Sequence, residues 1–250
     1  AAMIGEYYFN KLTSCDVSSE HASELRYKNL PHKKCLFVFI SQSGETMDTL
    51  MALKYVKKYS HKAIVITNSL QSTMVREADF TIPTYAQKEV GVASTKAFTC
   101  QILSLANLAI QIGKIDKSIN ISQYNKYHKS LKLLPTKLKK LINDFTPVAK
   151  KISKKISLAN SCYFIGRNIG YPVALEGSLK LKEISYMHSE GFAGGEMKHG
   201  PIALIDKNTI TICLIPNNEL HEKSLSNTQE ISARNGKVII LSSLKVLKNK

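Results

Sequence analysis

The run Ser41-Gln42-Ser43-Gly44-Glu45-Thr46 follows an apolar segment, Leu36 to Ile40, and precedes a helical pattern. A buried strand that hands over to a helix N-terminus is where α/β proteins bind anions. Unpaired N–H groups and the positive end of the helix dipole face the crevice there. Hydroxyls at Ser41, Ser43 and Thr46 add donors, and Gly44 lets the backbone come close. A hydrogen bond to a charged group is worth about 1.5–3 kcal/mol, so three or four of them hold a phosphate. The loop has no Gly-Lys-Ser/Thr, so it points to a phosphorylated metabolite rather than a nucleotide P-loop ligand. The competing reading is a capping box with Ser43 as N-cap.

Three other places carry chemistry-bearing residues. Lys180 and Glu183 lie three apart in YPVALEGSLKLKEISYMH, so they share a helix face, as a base beside a cation or as a plain surface pair. His199 precedes Gly200-Pro201, where a histidine is either a turn residue or a group that gives and takes a proton near neutral pH. The small-residue loop Gly91–Ala97 opens a long helical pattern, with Ser94 placed as an N-cap. The histidines His21, His32, His61, His128, His188 and His221 match no catalytic motif and no metal-ligand spacing, so neither a metal nor a cofactor is expected.

These residues need elements to position them. Apolar runs predict strands at Cys35–Ile40, Ala63–Thr67, Phe80–Ile82, Cys162–Ile165, Thr209–Ile215 and Lys237–Leu241. Periodicity predicts helices from Ala1 onward and at Glu45–Tyr59, Ser72–Glu77, Ser94–Ile112, Ser122–Leu134, Pro147–Leu158, Tyr171–His188 and Glu219–Arg234. Gly191, Gly194 and Gly195 predict a flexible loop over Ser189–His199. Strands alternating with helices give an α/β class with three-layer, doubly wound parallel sheets and ligands at the carboxyl ends of strands. The passage from LFVFI to AIVIT is repeated from ICLIP to VIILS at nearly the same offset, so two similar subdomains are expected, 1–143 and 144–250. Pro135 and Pro147 mark the joint. In the second copy Pro216-Asn217-Asn218-Glu219 replaces the serine-rich loop, and its carboxylate opposes a phosphate.

The chain has 250 residues, with 35 Lys+Arg against 19 Asp+Glu, a formal net charge of +16. The lysines concentrate between Lys126 and Lys155 and alternate there with Leu131, Leu133, Leu134, Leu138, Leu141 and Ile142, an amphipathic helix with a solvated basic face. Aromatics are not interleaved as a base-stacking platform requires, so nucleic acid is not expected as a partner. No run of about 18 apolar residues suggests a membrane span. Five scattered cysteines without a CxxC pair read as reduced core residues of a cytoplasmic protein.

SQSGETMDTL resembles the sugar-phosphate loop in the isomerase domain of the glutamine–fructose-6-phosphate aminotransferase family, the glucosamine-6-phosphate synthases. DVSSEHASELRY, EVGVASTKAFTCQ, LEGSLKLKEISY, GEMKHGPIALID and the stretch from PNNELHEKSLSN to SARNG agree with that family in order. The resemblance implies two sugar isomerase (SIS) subdomains and a phosphorylated hexose as ligand. Its sugar-binding residues fall on Ser41, Gln42, Ser43, Thr46, Val92 and Ser94. Glu183 falls on the base that moves a proton between C1 and C2, Lys180 on its polar partner, and His199 on the ring-opening histidine, which often reaches a neighbouring subunit. A homodimer is therefore expected, with ammonia drawn from solution because no glutaminase domain is matched. The family's first strand, its Cys-Gly-Thr-Ser loop and its C-terminal lysine tail also have no counterpart. Both subdomains are thus expected to be incomplete, activity impaired and the chain marginally stable, with Cys35–Ile40 at a sheet edge. The alternative is a non-catalytic sugar-phosphate binder.

Overall fold

Period-two alternation in short apolar runs places successive side chains on opposite faces of a sheet, and here both faces are covered. The computed structural model describes residues 1–243; Lys245, Lys248 and Lys250, for which the sequence suggests no role, lie outside them. The chain divides into two compact units, Ala1–Lys132 and Leu133–Lys250.

In the first unit, β1 (Leu36–Ile40), β2 (Lys62–Thr67) and β3 (Phe80–Pro83) form a parallel sheet in the order β1-β2-β3. Phe39, Ala63 and Val65 face one core with α3 (Met47–Lys58), α4 (Thr73–Glu77) and the short α2 (Ala22–Leu25). Val38, Ile40, Ile66 and Ile82 face the other, against α1 (Ala2–Leu12) and α5 (Lys96–Ile115). Helix α5 is long and apolar enough to cross a membrane by length and composition alone. Its Leu105, Ala109 and Ile110 pack instead with Phe9 and Leu12 of α1. As expected, β1 lies at an edge of this sheet, paired only to β2 among the described residues.

In the second unit the parallel order is β5-β4-β6-β7, built from β4 (Ser161–Gly166), β5 (His188–Ala193), β6 (Thr209–Ile215) and β7 (Lys237–Ser242). Tyr163, Ile165, Cys213 and Ile215 pack towards α8 (His221–Ser232), while Cys162, Phe164, Ile210 and Ile212 pack towards α7 (Gly170–Ser185). The steps β1-α3-β2 and β6-α8-β7 are both parallel crossovers, as the repeat implies. Burial lifts the thiols of Cys162 and Cys213 to about 12. Cys15 is exposed, and Cys35 and Cys100 are only half-buried, so the core reading fits two of the five cysteines.

Two expectations about local structure fail. The segment predicted as a loop over Ser189–His199 begins as strand β5, paired to β4 from His188 through Ala193, and continues as a 3₁₀ turn, Met197–His199. Gly191 fits because a Cβ there would sit 2.8 Å from backbone atoms of Leu175; the glycine lets the strand lie directly on α7. The predicted helices Ser122–Leu134 and Pro147–Leu158 are one helix, α6 (Ile121–Ile156), with Pro135 and Pro147 inside it. Each internal proline removes a ladder hydrogen bond, at about 3 kcal/mol, but the Leu- and Lys-rich flanks are strong helix formers and carry the helix through.

Two carboxylates tie the ends of elements together. The Lys57 and Lys62 ammonium groups and the Ala63 N–H all donate to Asp79, holding it well below the usual carboxylate range. Backbone N–H groups of Ser14 and Ser118 donate to Asp116, between the ends of α1 and α5, and lower it to about 2. A carboxyl depressed in the folded state contributes stability that is complete above its unfolded value of about 3.9 and lost as pH falls through the folded value. The midpoint of thermal unfolding is therefore expected to drop steeply between pH 5 and pH 2. Asp116→Asn should flatten part of that slope; an unchanged slope would remove Asp116 from the account.

Candidate functional site

Strand β1 ends at Ile40, and the chain turns through Ser41–Thr46 before α3 begins at Met47. The turn is held from below. The N–H of Ser41 donates to Ile66 O at 3.1 Å, and the N–H of Asn68 donates to Gln42 O at 3.1 Å, so the loop stays registered on β2. Buried Ser41 accepts the Gly44 N–H at 3.0 Å, and its hydroxyl lies 3.0 Å from Thr46 Oγ1. Ser43 accepts the Glu45 N–H at 3.2 Å, a local turn bond rather than a cap. Thr46, not Ser43, occupies the N-cap, and it makes no side-chain capping bond. The capping-box reading therefore does not hold. Ser43 and Thr46 are exposed, and the first-turn N–H groups of α3 have no helical partner by geometry.

Glu45 is the residue that should oppose an anion here. Its carboxylate instead accepts the Thr73 N–H at 2.7 Å, and that bond lowers its pKa. One end of the loop is thereby fastened to α4. Gly44 sits at φ +67, and a Cβ there would lie 2.1 Å from Ser72 Oγ. Ser72 was not singled out by the sequence reading. It is 2% exposed, and its hydroxyl has no hydrogen-bond partner among the described residues. The signal was present in Asn68-Ser69-Leu70-Gln71-Ser72-Thr73, a second polar stretch after an apolar run. Gly44→Ala would meet both left-handed strain, about 1–2 kcal/mol, and the Ser72 clash. We expect it to lower the midpoint of thermal unfolding by several degrees; a wild-type midpoint would show that the loop tolerates a shifted backbone.

Beyond β3, Asn68 Oδ1 accepts from Thr84 Oγ1 at 3.1 Å and from the Ala86 N–H at 2.8 Å, which anchors the segment leading to Val92 and Ser94. Val92 is 98% exposed and Ser94 is half-buried. Helix α5 begins at Lys96 with Thr95 as N-cap, so Ser94 is not the cap.

In the second unit, α7 carries Lys180 and Glu183. The Lys180 ammonium donates to Glu183 Oε2 at 2.7 Å and lies 3.5 Å from Glu176 Oε1. Burial works to lower the pKa of Lys180, but the two carboxylates outweigh it and hold the ammonium above its ordinary value. Glu176, four residues back in LEGSLKLKE, was passed over in the sequence reading although the i, i+4 spacing shows it. His199 ends the 3₁₀ turn Met197–His199 and is exposed. Gly200 follows at φ +138, and Pro201 opens a second 3₁₀ turn, Pro201–Leu204. In the repeated loop, Asn218 closes on itself: its Oδ1 accepts the Leu220 N–H at 3.1 Å, and Glu222 lies in the first turn of α8. Among the described residues no three His, Cys, Asp or Glu side chains converge as metal ligands.

The structure thus gathers Ser41, Gln42, Ser43 and Thr46 into one loop of the first unit, and Lys180 with Glu183 on one helix of the second. The SIS domain family matches residues 1–111 and 155–245. The isomerizing glutamine–fructose-6-phosphate aminotransferase of Rhizobium leguminosarum bv. viciae is 43% identical over 96% of the chain, and that of Bartonella henselae 42% over 98%. The chain spans 40% of the length of either relative. The C-terminal domain of glucosamine-fructose-6-phosphate aminotransferase from Francisella tularensis superposes with a TM-score of 0.93 at 43% identity, covering 96% of this chain and 68% of that one. Glucosamine-6-phosphate deaminase from Thermotoga maritima shares the fold, with a TM-score of 0.78 at 24% identity over 98% of this chain and 72% of that one.

Proposed function

The chain belongs to the SIS-domain family, and from that premise we propose that it binds a phosphorylated hexose and carries the residues for ketose-to-aldose conversion. The observation that carries the reading is the Ser41–Thr46 loop. Three hydroxyls and an uncapped helix start meet at the carboxyl end of β1, while the one carboxylate in the loop is engaged by Thr73. Fructose 6-phosphate is the proposed ligand, since the relatives of 42–43% identity are named for that substrate. In the proposed reaction ammonia adds to the C2 carbonyl with loss of water, and a proton then moves from C1 to C2.

Glu183 is the proposed base for that transfer. Lys180, kept charged by its two carboxylates, is the proposed partner that steadies the negative charge developing during proton transfer. His199 is proposed for ring opening, and Val92 and Ser94 for the sugar hydroxyls. The division of the chain at 143/144, a cytoplasmic location and a homodimer in which His199 reaches a neighbouring copy belong to the same proposal. The test is formation of glucosamine 6-phosphate from fructose 6-phosphate and ammonium by the purified chain. Turnover supports the reading; binding without turnover at any ammonium concentration selects a non-catalytic sugar-phosphate binder; no binding rejects both.

A further inference from the structure

The two stretches of the first unit assigned to one ligand, Ser41–Thr46 and Val92–Ser94, lie far apart in the sequence. The second sits between β3 and α5, outside any helix or strand. The backbone that leads to it is strained. Tyr85 sits at φ +51 and Gln87 at φ +57, a left-handed region that residues with a Cβ enter only at a cost. Ala86 between them is buried. Such a backbone persists where its surroundings over-determine it.

Much of that determination comes from one side chain. Asn68 follows β2 directly, and its backbone N–H donates to Gln42 O at 3.1 Å, inside the first stretch. Its side chain turns to the approach to the second. Its Oδ1 accepts from Thr84 Oγ1 at 3.1 Å and from the Ala86 N–H at 2.8 Å, and its Nδ2 donates to Gln87 O at 2.7 Å. The position needs a short side chain that accepts twice and donates once. Aspartate has no donor to offer, and glutamine is one methylene longer. A single residue at a strand end therefore ties the anion loop to both left-handed residues.

We propose that Asn68 is a positioning residue of the sugar-phosphate site, holding the segment before Val92 and Ser94 in register with Ser41–Thr46 and so favouring phosphates that carry a hexose over bare phosphate. This role rests on the hexose-phosphate reading above. Bare phosphate needs only the first stretch, whose bond to Asn68 is made by backbone and survives a change of side chain. A hexose phosphate must engage both stretches. Anchoring the second in advance lowers the ordering cost of that complex.

Calorimetry on the full chain compares fructose 6-phosphate with inorganic phosphate. Asn68→Ala should weaken fructose 6-phosphate about tenfold and leave inorganic phosphate within about twofold. Thr84→Val keeps the shape of its side chain and removes one donor to Asn68; it should shift the ratio the same way, by about threefold. Hydrogen exchange reads the link without ligand. Amides from 84 to 94 should exchange faster in Asn68→Ala, while those of β1 and α3 keep their wild-type rates. Equal weakening of both ligands would mean a loss of fold rather than of register, and overturns the proposal. An unchanged ratio in both variants, or unchanged exchange from 84 to 94, overturns it too. A wild-type chain that takes phosphate but not fructose 6-phosphate rejects the hexose reading itself, and this role with it.

Discussion

Replacing Ser43 and Thr46 together by alanine is expected to weaken hexose-phosphate binding by about 2–4 kcal/mol, roughly 30- to 700-fold, through two lost hydrogen bonds to a charged group. The lower part of the range for two such bonds applies because both side chains are exposed and Ser43 already serves the Glu45 N–H. Thr46→Ala also removes the neighbour of Ser41 Oγ, 3.0 Å away, so the two changes should not be additive. Lys139→Ala with Lys140→Ala is the control, and should change binding by less than about 1 kcal/mol, as solvent-screened surface charges do. Calorimetry with fructose 6-phosphate reads both. The reverse ranking would mean that the basic helix holds the anion and that the loop does not.

Glu183→Ala should lower turnover by a factor of about 10² to 10⁴, the range for removing a general base, while changing ligand affinity little. The separation of rate from affinity matters because Lys180 is tied to Glu183 at 2.7 Å. Removing the carboxylate leaves Lys180 with Glu176 at 3.5 Å, so the cation stays partly compensated and α7 should keep its structure. Lys180→Ala then tests the partner: a loss of rate comparable to that of Glu183→Ala would show the pair acting as a unit. Turnover that survives Glu183→Ala would place the proton transfer on another group.

The sequence by itself determined six of the seven described strands and the polar loop that follows the first. The strand expected at Thr209–Ile215 is the strand observed, and that expected at Cys35–Ile40 begins one residue later, because strands covered on both faces read as unbroken apolar runs bounded by polar turns. The loop at Ser41–Thr46 was legible because its hydroxyls and its glycine are consecutive in the chain. Other features were decided only in three dimensions. HSEGFA has no strand pattern of its own; β5 exists because β4 offers it a ladder and Gly191 lets it lie on α7. Ser72 lies against Gly44 although 28 residues separate them, and no period in the sequence joins the two. Along α6 the sequence showed an amphipathic stripe but not what meets it. Spacing fixes which side chains share a face of a helix, whereas only the packing of the rest of the chain decides whether that face is covered, and between Leu141 and Val148 the described residues leave it open to solvent.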